Sequence, residues 1–278
     1  MFWFSLFSGA IACFSPFIGM IMVMIFCAKT LGAAIVSPQR ALTAFFVVPL
    51  LLLVLDRTPT TQMMVLDAIF GVGFIAYIFL ITLRMNQVLS ESLLLSAIGL
   101  MLYSMLRSWV FGDLMVQGFE QGMELVQNQM PALLDQDYMA MSTQLMKALL
   151  PSIWGVGQIL ALFMGYFLFH KSIKIPLRFE DLKFPVVYNL MIIAILPLYF
   201  VEIGRYFFIN ALILLCMIPL IQGFALVSWS LSRIISSGIV RGIIMIFILL
   251  YAFIPLTLIG FADSWLSIRN INRGGNTA

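Results

Sequence analysis

The chain has 278 residues, 63% of them hydrophobic and only 10% charged, with a formal net charge of +3. A soluble domain carries about a quarter charged residues, so this chain has too few to cover a water-facing surface and reads as an integral membrane protein. The composition leaves no room for a large soluble domain, and so small a charge gives no support to nucleic-acid binding.

Apolar runs bounded by charge or turn residues fall at 3–28, 41–55, 63–83, 92–111, 151–170, 185–201, 206–231 and 239–262. Their lengths suit helices; a membrane barrel would show alternation instead. The expected fold is all-α: a polytopic transmembrane bundle of about eight spans, in the range of roughly seven to nine. Pro16 is placed to divide the first run and Pro219 to kink the seventh. The opening "MFWFSLFSGAIACFSPF" lacks a basic n-region, which favours a retained first helix over a cleaved signal peptide. Cys13, Cys27 and Cys216 are scattered through apolar runs, and the chain has one histidine, His170. Neither a disulfide framework nor a metal or cofactor site is expected from that spacing.

Lys and Arg set the expected orientation. The segment "KSIKIPLRFEDLK" carries Lys171, Lys174, Arg178 and Lys183 and is assigned to the cytoplasm, in a bacterial inner membrane. The turns at 29–40, 84–91 and 232–241 then share that side. The opposite side receives 112–150, where Asp113, Glu120, Glu124, Asp135 and Asp137 face Lys147 alone. An eight-span count puts Arg269 and Arg273 on that same side, against the rule.

The chain divides into three segments: N-terminal transmembrane helices over 1–111, an amphipathic helical insert over 112–150, and C-terminal transmembrane helices over 151–278. In the insert, Met115, Val116, Phe119, Met123, Val126 and Met130 recur at helical spacing. Beyond Pro131, Leu134, Tyr138, Met141, Leu145 and Leu149 repeat the pattern. Such a stripe belongs to an amphipathic helix. Two readings stand: the stripe packs on the protein's own helices or in the headgroup layer, or it is a lid or docking surface for another membrane protein. Met115, Phe119, Met123, Tyr138 and Met141 are the partner-contact candidates, because methionine stripes re-pack easily.

Ionisable groups inside spans are costly and mark candidate sites. Asp67 lies early in the third run and Arg107 late in the fourth, at one expected level, where antiparallel neighbours can pair. Glu202 and Arg205 make a turn at that level, spaced either to join a site or to pair with each other. Asp263 closes the last run there. These five residues are the ligand-binding candidates, and loop-end charges paired locally are the alternative. Asn189, Asn210, Gln158, Gln222 and Ser228 are expected to hydrogen-bond between helices. No GxSxG, HExxH or Walker-type loop is present, so an enzyme is not expected.

The second half carries "LRFEDLKFP" (177–185), "LIQGFALVSW" (220–229) and "LIGFADSWLSIRN" (258–270). In that order they resemble the YybS-like family of bacterial membrane proteins, whose last span runs into a Gly-x-x-Asp-x-Trp-x-x-Arg pattern. Gly260, Asp263 and Trp265 correspond, and Arg269 corresponds in kind but one residue later than the pattern; Ser267 and Ile268 stand where the family has an acidic and an aromatic residue. The resemblance implies similarity to the membrane substrate-binding components of energy-coupling-factor transporters. It implies capture of a small solute from the non-cytoplasmic side, with a separate energising subunit as partner. The alternative is a structural or assembly subunit of a larger membrane complex, docking through 112–150.

Overall fold

A computed structural model describes residues 2–33, 38–86, 88–129, 136–169, 182–185, 187–266 and 268–269. Side chains of 26–41, 136–141 and 166–169, among others, are not described, so the contacts expected of Tyr138 and Met141 fall outside the described residues. His170, Lys171, Lys174, Arg178 and Arg273 fall outside them too. In the described residues the regular elements are helical. They are α1 (Phe2–Phe14), α2 (Pro16–Ala33), α3 (Pro38–Leu55), α4 (Pro59–Leu66), a π-helical segment (Asp67–Phe74) and α5 (Ile75–Asn86). Then come α6 (Leu89–Gln129), α7 (Gln136–Phe169), α8 (Val187–Ile195), a 3-10 turn (Leu196–Phe200), α9 (Glu202–Ile234), α10 (Gly238–Tyr251) and α11 (Phe253–Leu266).

Among the described residues, four helical stretches are long and apolar enough to cross a membrane: Pro59–Met85, Ser90–Val126, Ser142–Gly165 and Gly204–Ile234. The bent pair Gly238–Leu249 and Phe253–Leu266 makes a fifth if it counts as one span. The protein is thus a helical, membrane-embedded bundle, but the expected eight spans are not supported. The first apolar run is two helices folded back on each other about Ser15. Gly19 sits so close to Ala12 that an added Cβ would meet the Ala12 Cα at 2.5 Å. The runs at 42–55 and 188–200 give shorter apolar helices. The last run turns through 101°. Hydropathy registers apolar length; it does not register a reversal inside the run.

Among the described residues, three prolines sit inside helices, each removing an N–H from the ladder. The carbonyls four residues back find other company. Pro49 frees Phe45 O, which faces Gly9 so closely that a Cβ there would meet it at 2.0 Å. Pro219 frees Leu215 O, and the Tyr188 hydroxyl donates to it. Just past Pro151, Asn210 accepts from the Ser152 N–H (3.0 Å) and donates to Ala148 O (2.9 Å). Those two backbone groups pair with each other in an uninterrupted helix. Gln158 does the same at the α1–α2 reversal, its amide placed to donate to Pro16 O (3.3 Å) and accept from Phe17 N (3.2 Å). Gln222 accepts from the Phe184 N–H at 3.0 Å. Asn210, Gln158 and Gln222 therefore serve backbone groups outside the regular ladder, which hydrocarbon would otherwise leave unsatisfied; Asn189 instead donates to the Ser264 hydroxyl.

The turn between α3 and α4 is capped. Asp56 accepts from the Thr61 hydroxyl at 2.7 Å and from the Thr58 N–H at 2.9 Å, and Pro59 opens the helix. The Thr61 hydroxyl, then the Thr58 amide, hold the Asp56 carboxyl below the usual range.

With 41 residues, α6 is about 60 Å long, twice the roughly 30 Å of a hydrocarbon core. Its backbone departs from helical geometry at Phe111 (φ −119°, ψ 20°) and continues past it. The stripe of 112–129 is thus the continuation of a spanning helix, and α7 rises beside it. Lys147 of α7 pairs with Glu120 of α6 at 2.5 Å.

Candidate functional site

Two buried ion pairs divide the expected site residues. In the first, Arg107 of α6 donates from Nε to both Asp67 oxygens, at 2.7 and 3.0 Å, and the Tyr103 hydroxyl donates to Asp67 Oδ1 at 2.7 Å. Asp67 is 3% and Arg107 9% exposed. The pairing follows from the short connection in sequence between α5 and α6, which makes them antiparallel neighbours. Asp67 is the first residue of the π-helical segment, an irregularity that often accompanies a functional site. The wider turn sets Gly71 under Trp154 and Tyr103; an added Cβ would meet Trp154 at 2.6 Å. Trp154 lies 5.4 Å from the Tyr103 ring and 5.1 Å beneath the Arg107 guanidinium. Sequence reasoning missed Tyr103 and Trp154. The signal for Tyr103 was its place four residues before Arg107, on the same helical face.

At the far edge of Arg107, the acceptors among the described residues are thioethers. Nη1 lies 3.1 Å from Met115 Sδ and Nη2 lies 3.6 Å from Met63 Sδ. Both are weak acceptors. Of the expected partner-contact residues, Met115 therefore faces inward. Phe119 and Met123 are half-buried further along α6.

Met115 has a second neighbour. A cavity of about 260 Å³ opens between α6, α7 and α9, lined by Met115, Gly112 and Lys147. Trp109, Val116, Leu150 and Phe207 give it apolar walls. Ser108 and Tyr206 add hydroxyls that share a hydrogen bond of 2.9 Å across the cavity's edge. Because Ser108 adjoins Arg107 in the chain, the cavity and the buried pair lie at one level of the bundle.

Glu202 and Arg205 reach neither. Both are exposed at the start of α9, and they do not pair with each other. Arg205 instead donates from Nε to Tyr199 O (3.2 Å) and stacks on the Tyr199 ring at 5.7 Å.

Asp263 belongs to the second pair. Its Oδ2 accepts from Arg269 Nη2 and Gln222 Nε2, each at 2.7 Å. Arg269 also donates to Leu182 O, and Asn189 donates to Ser264 at 2.8 Å. Asp263 is 1% exposed, and its Oδ1 has no hydrogen-bond partner among the described residues. Gln222 lies sixteen residues after Tyr206 on α9, so this cluster sits about 24 Å away along the helix. The expected convergence of five charges is therefore corrected: Asp67 and Arg107 meet, Glu202 and Arg205 stay at the surface, and Asp263 lies toward the opposite end. The cause is the bend between α10 and α11. It brings α11 back along α9, with Gly260 so near that a Cβ there would meet Pro219 O at 1.8 Å. Asp263 and Arg269 thereby end beside 182–184, the end of the basic segment. The orientation conflict at the tail disappears with the eight-span count that produced it.

Among the described residues, no group of three His, Cys, Asp or Glu is placed to hold a metal ion. Comparison of the chain with protein-family models, with curated proteins and with solved structures found no match.

Proposed function

We propose that the protein captures a small solute within the membrane, in the cavity between α6, α7 and α9. The observation that carries this reading is the coincidence of that cavity with the buried Asp67–Arg107 pair, the two sharing Met115 as a wall. A mostly apolar cavity with a few convergent polar groups is the usual form of a small-molecule site. An ion pair kept inside a membrane is costly, which supports a role beyond packing. The acidic 112–150 end lies on the non-cytoplasmic side of a bacterial inner membrane, by the distribution of Lys and Arg. The pattern around Asp263 and Arg269, similar to the YybS-like family, supports the same reading, with energy supplied by a separate subunit. The test is a thermal-unfolding screen of the purified protein against vitamins and metabolites. At least one compound is expected to raise the midpoint in the wild type and not in a Trp109→Ala, Phe207→Ala variant. A panel without a single stabilising compound sinks the proposal.

A second reading has an observation of its own. Leu125 and Leu145 are 62% and 60% exposed on the parts of α6 and α7 that rise past the buried pair. Exposed apolar groups on these extensions favour a docking role in a larger complex. Gentle solubilisation should then recover a stoichiometric partner, lost on Leu125→Lys; recovery of the free chain alone counts against it.

A further inference from the structure

The cavity's chemistry selects a class of ligand. We infer that the site takes a small, neutral, flat apolar molecule bearing a carbonyl-type acceptor, which displaces the Met115 thioether and accepts from the Arg107 Nη fork. This rests on the capture reading above and adds the ligand class to it.

Three observations carry the inference. First, the Arg107 fork is under-used. Both carboxylate oxygens of Asp67 bind at Nε, instead of spreading over Nε and Nη2 as in a two-pronged pair. Among the described residues, the Nη groups meet only the sulfurs of Met63 and Met115 as hydrogen-bond acceptors. A carbonyl oxygen is a much better acceptor for a guanidinium than a thioether. The Met side chain has three rotatable bonds and adapts readily.

Second, the charges are already balanced. Arg107 is neutralised by Asp67, and Lys147 at the cavity rim by Glu120. An anion entering would leave one uncompensated negative charge in a low-dielectric site, which is expensive. A neutral acceptor uses the free N–H groups and adds no charge. Balanced cations with unused donors therefore discriminate against an anion.

Third, the volume and walls fit a ring. A closed apolar cavity of roughly 150 Å³ holds benzene; this half-open one offers about 260 Å³. That admits a substituted ring between Trp109 and Phe207, its substituent directed at Met115. The Ser108 and Tyr206 hydroxyls, bonded to each other, offer a further contact at the rim.

The experiment uses the full chain in lipid nanodiscs and saturable fluorine NMR shifts of three probes of one shape: para-fluorobenzamide, para-fluorobenzoate and para-fluorotoluene. The amide is expected to bind about tenfold or more tighter than either other probe, the worth of a hydrogen bond to a charged donor. Met115→Ala uncovers the fork and should tighten the amide severalfold relative to the toluene, which senses only the enlarged wall. Arg107→Met, paired with Asp67→Leu so that no buried charge is stranded, should erase the amide's advantage. If benzoate binds tighter than the amide, the ligand class is overturned while capture stands. If toluene matches the amide and Met115→Ala alters neither, the fork plays no part and the inference falls, again without touching capture. If no probe saturates in the wild type or in Met115→Ala, the inference falls, and the compound screen above still decides the capture reading by itself.

Discussion

Removing Asp67 should damage this protein more than removing Arg107. The pair is 3% and 9% exposed, and Arg107 has no other anionic partner among the described residues. Breaking a buried pair by deleting one member costs about 3–5 kcal/mol, because the survivor stays charged and unpaired. A guanidinium has no neutral form to retreat to, so Asp67→Asn should cost about 3–5 kcal/mol. Arg107→Met leaves a carboxyl that has the option of taking up a proton while keeping the Tyr103 hydroxyl, so it should cost about 1–3 kcal/mol. The double variant Asp67→Leu, Arg107→Met replaces the pair by apolar groups and should fall within about 2 kcal/mol of wild type. Reversible unfolding in bicelles, read as a double-mutant cycle, gives all three values. An Asp67→Asn cost below about 1 kcal/mol, the worth of a surface pair, would refute the reasoning. So would a double variant that costs the sum of the singles.

Three further outcomes rest on the packing and the caps. Gly260→Ala places a Cβ against Pro219 O at 1.8 Å, a backbone atom with no rotamer to yield, and should lower stability by about 1–3 kcal/mol or prevent folding; unchanged unfolding would show that α11 does not lie on α9 as described. Asn210→Leu strands the Ser152 N–H and Ala148 O beside Pro151 and should cost about 1–3 kcal/mol, against under about 0.5 for the exposed Ser230→Ala in the same helix, both read by chemical unfolding. The Asp56 carboxyl, held low by Thr61 and Thr58, stabilises the turn above its ordinary pKa, and that contribution is lost as pH falls through the lowered one. Hydrogen exchange at the Thr58 amide should therefore lose protection on acidification, beyond the intrinsic pH trend, and Asp56→Asn should abolish that step.

What sequence reasoning reached depended on whether a feature is local. The class was legible because composition and run length report the solvent directly. Asp67–Arg107 was legible because a short turn between long apolar runs forces antiparallel neighbours, and the two charges lie at matching depth in those runs. Asp263 was misplaced because a count of alternating sides assumes that each run crosses once. One bend of 101° breaks that assumption; Pro255, in the first turn of α11, marks a helix start there but reads equally as a kink. Pro16 did mark the first reversal, yet a proline reads equally as a kink. The amides were legible as interhelical donors, but their partners were not: Asn210 and Ser152 are far apart in sequence, and only packing names the pair. The cavity was beyond reach for the same reason, since Ser108, Lys147 and Tyr206 come from three helices.

The capture reading is tested most directly by plugging the cavity. Gly112 lines it, and a Cβ added there meets nothing within 4 Å, so Gly112→Trp fills space without forcing the backbone. The unfolding midpoint of wild type and variant should be compared, each with and without any compound that stabilises the wild type. The account predicts that Gly112→Trp folds at least as stably as wild type and loses the compound's stabilisation entirely. Equal stabilisation of both proteins would contradict it, because the solute would then bind elsewhere.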